Sequence, residues 1–349
     1  MKTLSQSGYA QLITLLGQRE LLPSLRQLSF TIENSRFQSL RTMLELNLLQ
    51  PPCLQSLSLR RGRGYVHREA VRQALGGALS FVLPKCRRIY NLSIDGAGIL
   101  LPPMHDFSLL VNLHSLKLTV LELSPELFQA FGHLKDLRDL DLTIETLGKP
   151  LPECQLNINY LPALQTLNVA AEAENLAAIL ECLSNENVHT AQLDTDAYYC
   201  SSNSISRQLR IGWNHIARFA SLWNIEVRQY EKRDFRGPRE LHEAEDLGSS
   251  IEAFLDLPHV REFKFFTRHV DALFFLSNET IIRMASSWPY LTVLNLNVVP
   301  NLKRNQSLAT YKALEFLACN CPDLKELTII IDLTVVPSPP HYPQRRTTA

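Results

Sequence analysis

The chain has 349 residues, 45% of them hydrophobic and 20% charged, and its 35 basic and 35 acidic side chains balance to a formal charge of zero. This is the composition of a folded, water-soluble protein and not of a disordered or fibrous one. No apolar run is long enough to cross a bilayer, and Met1 to Gly8 leads into no secretory apolar segment, so an intracellular setting, cytoplasmic or nuclear, is expected.

In chain order, apolar spacing predicts a helix over Leu4 to Leu16 and then a strand of the form Leu25-x-x-Leu28-x-Phe30. The form returns at Leu54-x-x-Leu57-x-Leu59. After a helical stretch from Val66 to Val82 come Ile89-x-x-Leu92-x-Ile94 and Leu113-x-x-Leu116-x-Leu118. The segment Ser124 to Ile144 holds one complete unit. Ser124 caps a helix with Pro125 at its first position, Leu127, Phe128, Phe131 and Leu134 line its apolar face, and Gly132 marks its exit. A period of two follows, in which Leu140, Leu142 and Ile144 point one way and Asp139, Asp141 and Thr143 the other.

Later copies begin at Leu164, Val188, Leu222, Val260, Leu291 and Leu324; those at Val188 and Leu222 are degenerate. Between them, helices are expected over Asn175 to Leu183, Ile205 to Phe219, Ser250 to Leu257, Glu279 to Trp288 and Leu308 to Cys319. The eleven copies are separated by 24 to 38 residues. A strand plus a helix at a period of roughly 30 is a leucine-rich repeat. The expected fold is therefore an α/β leucine-rich repeat solenoid, a curved horseshoe with a parallel sheet on its concave face and helices on its convex face. Residues 1–335 form one domain of about eleven units, followed by a Pro-rich, disordered tail over 336–349.

Five junctions place proline between helix and strand: Leu22-Pro23-Ser24-Leu25, Leu161-Pro162-Ala163-Leu164, Leu257-Pro258-His259-Val260, Trp288-Pro289-Tyr290-Leu291 and Cys321-Pro322-Asp323-Leu324. Proline stops the helix and biases the preceding residue to extended geometry. The ninth repeat position reads Glu33, Gly62, Ala97, Leu121, Glu145 and Glu172 in the first six units, so no asparagine ladder is expected. The repeats turn by their helices instead.

The junctions and irregular repeat lengths, above all Trp288 to Leu296 and Leu314 to Asp332, resemble the leucine-rich repeat regions of fungal F-box proteins. The resemblance implies substrate recognition for a cullin-based ubiquitin ligase. It departs at the N-terminus, where Leu22-Pro23 belongs to the first repeat junction and no F-box is found. The ligase adaptor is expected as a partner only if an F-box is present elsewhere.

Seven cysteines without a regular framework read as reduced thiols, and Cys319-Asn320-Cys321 as a helix-to-strand junction and not a metal pair. No Walker loop, nucleophile elbow or zinc-helix motif occurs, so no enzyme, cofactor or metal is expected. Asp95-Gly96-Ala97-Gly98 reads as a turn. Residues 1–120 carry 14 Lys and Arg against 6 Asp and Glu, and residues 121–199 carry 3 against 13. In a solenoid this becomes a charge gradient along the axis.

Binding is expected at outward strand positions of the concave face: Ser115, Lys117, Asp139, Asp141, Thr166, Asn168, Gln192, Asn295 and Asn297. The partner is a protein. Further contacts are assigned to Arg60, Arg61 and Arg63 in an arginine-glycine loop over 60–68, and to Arg236 and Arg239 in the repeat-free insertion Gln229 to Ser249. The alternative is a nucleic-acid-binding scaffold led by the arginine-glycine loop, since arginine beside glycine and an aromatic can grip a phosphate backbone.

Overall fold

A computed structural model describes residues 24–32, 53–61, 88–99, 109–120, 123, 125–144, 161–183, 186–196, 212–230, 245–267, 274–298 and 308–335. Eleven parallel strands form one sheet: β1 (Gln27–Ile32), β2 (Ser56–Arg61), β3 (Asn91–Ile99), β4 (Ser115–Val120), β5 (Asp139–Ile144), β6 (Thr166–Ala171), β7 (Thr190–Asp196), β8 (Asn224–Tyr230), β10 (Glu262–Thr267), β12 (Val293–Asn297) and β13 (Glu326–Thr328). They pair in sequence order, each strand beside the one before it in the large sheet. A second, two-stranded sheet joins β9 (Glu245–Asp246) to β11 (Phe274–Phe275). Each expected Leu-x-x-Leu-x-Leu copy coincides with one strand of the large sheet.

Strand alternation divides the sheet into a core face and an open face. Leu116, Leu140, Leu167, Ala191, Ile225, Phe263 and Leu294 form one fully buried row, with Leu118, Leu142, Val169, Leu193, Val227, Phe265 and Leu296 in the next. Against them pack helices α1 (Pro125–Phe131), α2 (Ala173–Cys182), α3 (Leu247–Ser250), α4 (Glu252–Leu255), α5 (Asn278–Ser287) and α6 (Tyr311–Asn320). A helix is roughly 10 Å across and strands sit about 4.8 Å apart, so helices on one side curve the sheet away from them. The expected solenoid architecture is what is found.

A chain of aromatic rings runs through the C-terminal core. Trp213 packs on Phe254 at 5.3 Å, Phe254 on Phe263 at 5.7 Å, and Phe263 on Trp288 at 4.8 Å between centroids. The Trp288 indole donates to the Phe254 carbonyl at 3.2 Å, so its one polar atom is satisfied in the core.

Several local expectations are corrected. The helix read over Ser250 to Leu257 is two short turns, α3 and α4, interrupted at Ile251, whose φ of −101° and ψ of 6° leave the helical well. Asp95-Gly96-Ala97-Gly98 is not a turn but the later part of β3, where the register against β4 shifts between Ile94 and Ile99. Glycine inside a strand commonly marks such an irregularity. Leu161 does not take the extended geometry expected before proline: its φ is 55° although the side chain is buried. That conformation costs an L-residue about 1–2 kcal/mol, an expense that burying the leucine in the core offsets. Cys321 is buried as expected, with Sγ 3.5 Å from the Trp288 carbonyl, but Cys319 is exposed. The last strand is also weaker than its sequence suggests. Leu327, aligned with Leu294, is 39% exposed on a three-residue edge strand.

Asparagine stacking is replaced in the C-terminal repeats by linked helix caps. Asp246 caps α3 by accepting from the Gly248 amide at 3.1 Å, and the same carboxylate accepts from the hydroxyls of Ser277 and Thr280 one repeat later. Ser277 in turn caps α5 through the Thr280 amide. Asn278 then bonds Thr310, the cap of α6. Each cap thus satisfies an orphan amide of its own helix while fixing the next repeat. Gly248 is required here because a Cβ would collide with the Thr280 hydroxyl.

The innermost row also changes character along the sheet. Val120, Ile144 and Ala171 give way to Thr195, Gln229 and Thr267, which are adjacent in register and buried, before Val298 restores an apolar residue. The Thr195 hydroxyl reaches the Arg228 carbonyl at 3.4 Å, but neither amide atom of Gln229 has a hydrogen-bond partner among the described residues.

Candidate functional face

The open face displays the outward strand residues as rows across the sheet. Ser115, Asp139 and Thr166 are register partners on β4, β5 and β6. Lys117, Asp141, Asn168 and Gln192 form the next row across β4 to β7. Seven of the nine predicted positions therefore form one continuous patch. Asn295 lies in the second row but on β12, separated from Gln192 by Glu226 and Lys264, and Asn297 lies one row further on. All nine are exposed or half-buried, whereas Leu140, between Asp139 and Asp141, is 1% exposed.

Sequence parity also assigns to this face Asp194, Glu226 and Arg228, in the degenerate repeats at Val188 and Leu222, and Glu262 and Lys264, in the aromatic copy at Val260. These residues carry most of its electrostatics. Arg228 pairs with Glu226 and approaches Asp194 at 3.9 Å, Lys264 pairs with Glu262 at 3.2 Å, and Lys117 with Asp141 at 2.6 Å. Gln192 leans to the Asp194 carboxylate at 3.5 Å. Every cation described on the face between β4 and β10 is thus held by a carboxylate. Asp139 has no cationic partner among the described residues, so the acidic excess of the middle third is partly displayed here.

The predicted loop contacts fare differently. Arg60 is exposed, but it and Arg61 belong to β2 and not to a loop, with Arg60 in register between Thr31 and Asp95. Arg63, Arg236 and Arg239 lie outside the described residues.

A further row borders the face at the N-terminal ends of the strands. In each repeat, the residue preceding the first strand residue donates its N–H to the carbonyl of its counterpart in the previous repeat, from Gln55 onto Arg26 to Lys325 onto Thr292, at 2.7 to 3.0 Å. This rail is unbroken across all eleven strands. Its cationic members are Arg26, Arg138, Arg261 and Lys325, its imidazoles His114 and His189, and its aromatics Tyr90 and Trp223. Gln55, Gln165 and Thr292 complete it, and it contains no carboxylate. Neighbours touch: the Tyr90 and His114 rings lie 5.2 Å apart.

Among the described residues no His, Cys, Asp and Glu group could hold a metal ion, and no helix is long and apolar enough to cross a membrane. On the helix side, the surroundings of His215 shift its titration. Burial lowers its pKa, and Arg218 lowers it further against an opposing pull from Glu181.

No protein-family model matches the chain, and no curated protein matches it. Among solved structures it is similar to an internalin, inlF, from Listeria monocytogenes, at 13% identity over 89% of this chain and 88% of that one, with a TM-score of 0.38. It is also similar to a chain of the Toll–Spatzle complex of Drosophila, at 13% identity over 94% of this chain and 42% of that one, with a TM-score of 0.43.

Proposed function

We propose that this chain is a protein-interaction scaffold that engages a protein partner across the open face of its sheet, inside the cell. The observation that carries this reading is the patch from Ser115 to Gln192. Seven polar or charged side chains stand in register on adjacent strands, over a core row that is fully buried. Strands fixed on both sides by their neighbours lose little conformational freedom on binding, which favours recognition by a pre-organised surface.

Its biological setting, in our reading, is substrate recognition for a cullin-based ubiquitin ligase. The Trp-Pro-x-Leu and Cys-Pro-x-Leu junctions at Trp288 and Cys321 support it by resemblance. Affinity capture from cells, read by mass spectrometry, tests both levels. Proteins captured by the chain and lost with Asp139→Lys plus Asp141→Lys are the expected partners, and they should accumulate when cullin activation is blocked. Captured proteins whose abundance ignores that block would remove the ligase setting. Capture unaffected by the double substitution would remove the face.

A further inference from the structure

Between β4 and β10 the cations at the sheet fall into two groups. Lys117, Arg228 and Lys264, on the open face, are each held by a carboxylate. Arg138 and Arg261, on the bordering rail, are exposed and make no ion pair among the described residues. Their backbones are nonetheless fixed, since the Arg138 amide bonds the His114 carbonyl and the Arg261 amide bonds the Trp223 carbonyl, both at 2.8 Å. A free guanidinium on an immobile backbone is suited to bidentate binding of a carboxylate.

We propose that this rail is a docking track for an extended, acid-rich segment of a protein partner, with Arg138 and Arg261 as its two principal clamps. The inference rests on the scaffold reading and adds the chemistry of the partner. Arg138 and Arg261 precede β5 and β10, four strand spacings apart, or about 19 Å at ~4.8 Å per strand. A peptide rising about 3.3 Å per residue covers that distance in roughly six residues. Between the clamps, the partly exposed Trp223 offers a flat apolar surface, and Tyr90, tilted against His114, offers another beyond Arg138. The segment therefore carries aromatic or aliphatic residues between its acids.

The next residue along the same strands disfavours a nucleic acid. Asp139 follows Arg138 and Glu262 follows Arg261, so a polymer with a charge on every unit meets carboxylates beside each clamp. A peptide avoids them by placing acids only opposite the guanidinium groups.

Fluorescence anisotropy with the full chain tests this. The probe is a labelled ten-residue peptide of Glu and Tyr; a lysine decapeptide and an oligouridylate of ten nucleotides are the comparison probes. The acidic peptide should bind saturably and more weakly as salt rises. Arg138→Glu with Arg261→Glu should weaken it at least about tenfold. Arg283→Glu with Lys312→Glu, the same charge change on helices α5 and α6, should alter it by less than about twofold, as expected for remote surface charges. Circular dichroism checks folding, and Arg138→Gln with Arg261→Gln provides a milder pair that should also weaken binding. Absence of saturable peptide binding, equal losses in the rail and helix variants, or selective binding of the oligouridylate would each overturn the proposal. Partner capture dependent on Asp139 and Asp141 would still stand in those cases, so the two readings fail separately.

Discussion

Asn278, the first residue of α5, grips Thr310, the cap of α6 in the following repeat: its Oδ1 accepts from the Thr310 amide at 2.8 Å and its Nδ2 donates to the Thr310 hydroxyl at 3.1 Å. Thr310 meanwhile accepts from the Lys312 amide at 3.4 Å. One side chain therefore ties two helices together at their N-terminal ends. Asn278→Ala and Thr310→Val should each cost about 1–2 kcal/mol. Because both remove the same link, the double variant should cost less than the sum. Urea denaturation of the four proteins checks the cycle; simple additivity would show that the caps act independently.

The two faces of β5 should respond oppositely to charge. Leu140→Asp buries an unpaired carboxylate and opens a cavity, an expected loss of about 3–5 kcal/mol. Asp139→Lys with Asp141→Lys removes the pairing with Lys117, which is exposed, and places like charges nearby. That should cost no more than about 1 kcal/mol. Thermal melting of both variants measures the difference, and a reversed order would mean that the strand register is off by one residue.

Gln229 is 1% exposed and its amide has no hydrogen-bond partner among the described residues. Gln229→Met keeps the length of the side chain and removes the unmet polar atoms, so it should stabilise the chain by about 1–2 kcal/mol. A lower melting temperature for this variant would show that the amide is hydrogen-bonded in solution.

His215 gives the fold a pH dependence with a definite sign. Its pKa in the folded chain lies below the usual 6.5, first because burial disfavours the imidazolium and then because Arg218 repels it. The unfolded chain therefore takes up this proton at higher pH than the folded one, and stability falls as the pH drops below about 6.5. Melting curves between pH 7.5 and 5, on a scale set by the reference imidazole value near 6.5, should show a shallower acid loss for His215→Gln. Identical slopes in the two proteins would exclude this group.

Cys319 and Cys321 share a helix end but not an environment. Cys319 is exposed, whereas burial raises the Cys321 thiol pKa and so depletes its thiolate. Brief iodoacetamide treatment followed by fragment mass spectrometry should find alkylation at Cys319 well ahead of Cys321.

The strands were legible in the sequence because their signal is local. A leucine at every second position buries the same face in each repeat, and residues such as Leu140 and Leu294 announce it without any knowledge of their neighbours. Helix limits were less legible where tertiary contacts set them: α3 and α4 divide at Ile251, and α5 begins at Asn278 because Ser277 and Asp246 fix its cap. The cap chain itself joins residues about 30 positions apart, a pairing that periodicity does not encode. The patch from Ser115 to Gln192 followed from alternation alone. Glu226, Arg228 and Lys264 follow from the same rule, but Ala191, Ile225 and Phe263 replace the leucines that would have drawn attention to it. The rail of Arg138 and Arg261 occupies an unremarked x position. Only the repeat-to-repeat backbone hydrogen bonds show that these residues stand in line.

The central claim, that a protein partner binds the open face, is tested most directly by placing a photo-crosslinking amino acid at Asn168, in the middle of the patch, and separately at Ser286, exposed on α5. Irradiation in cells should yield a discrete crosslinked protein from position 168 and none from position 286. A partner crosslinked from position 286 with nothing captured at position 168 would place recognition on the helices and contradict the account.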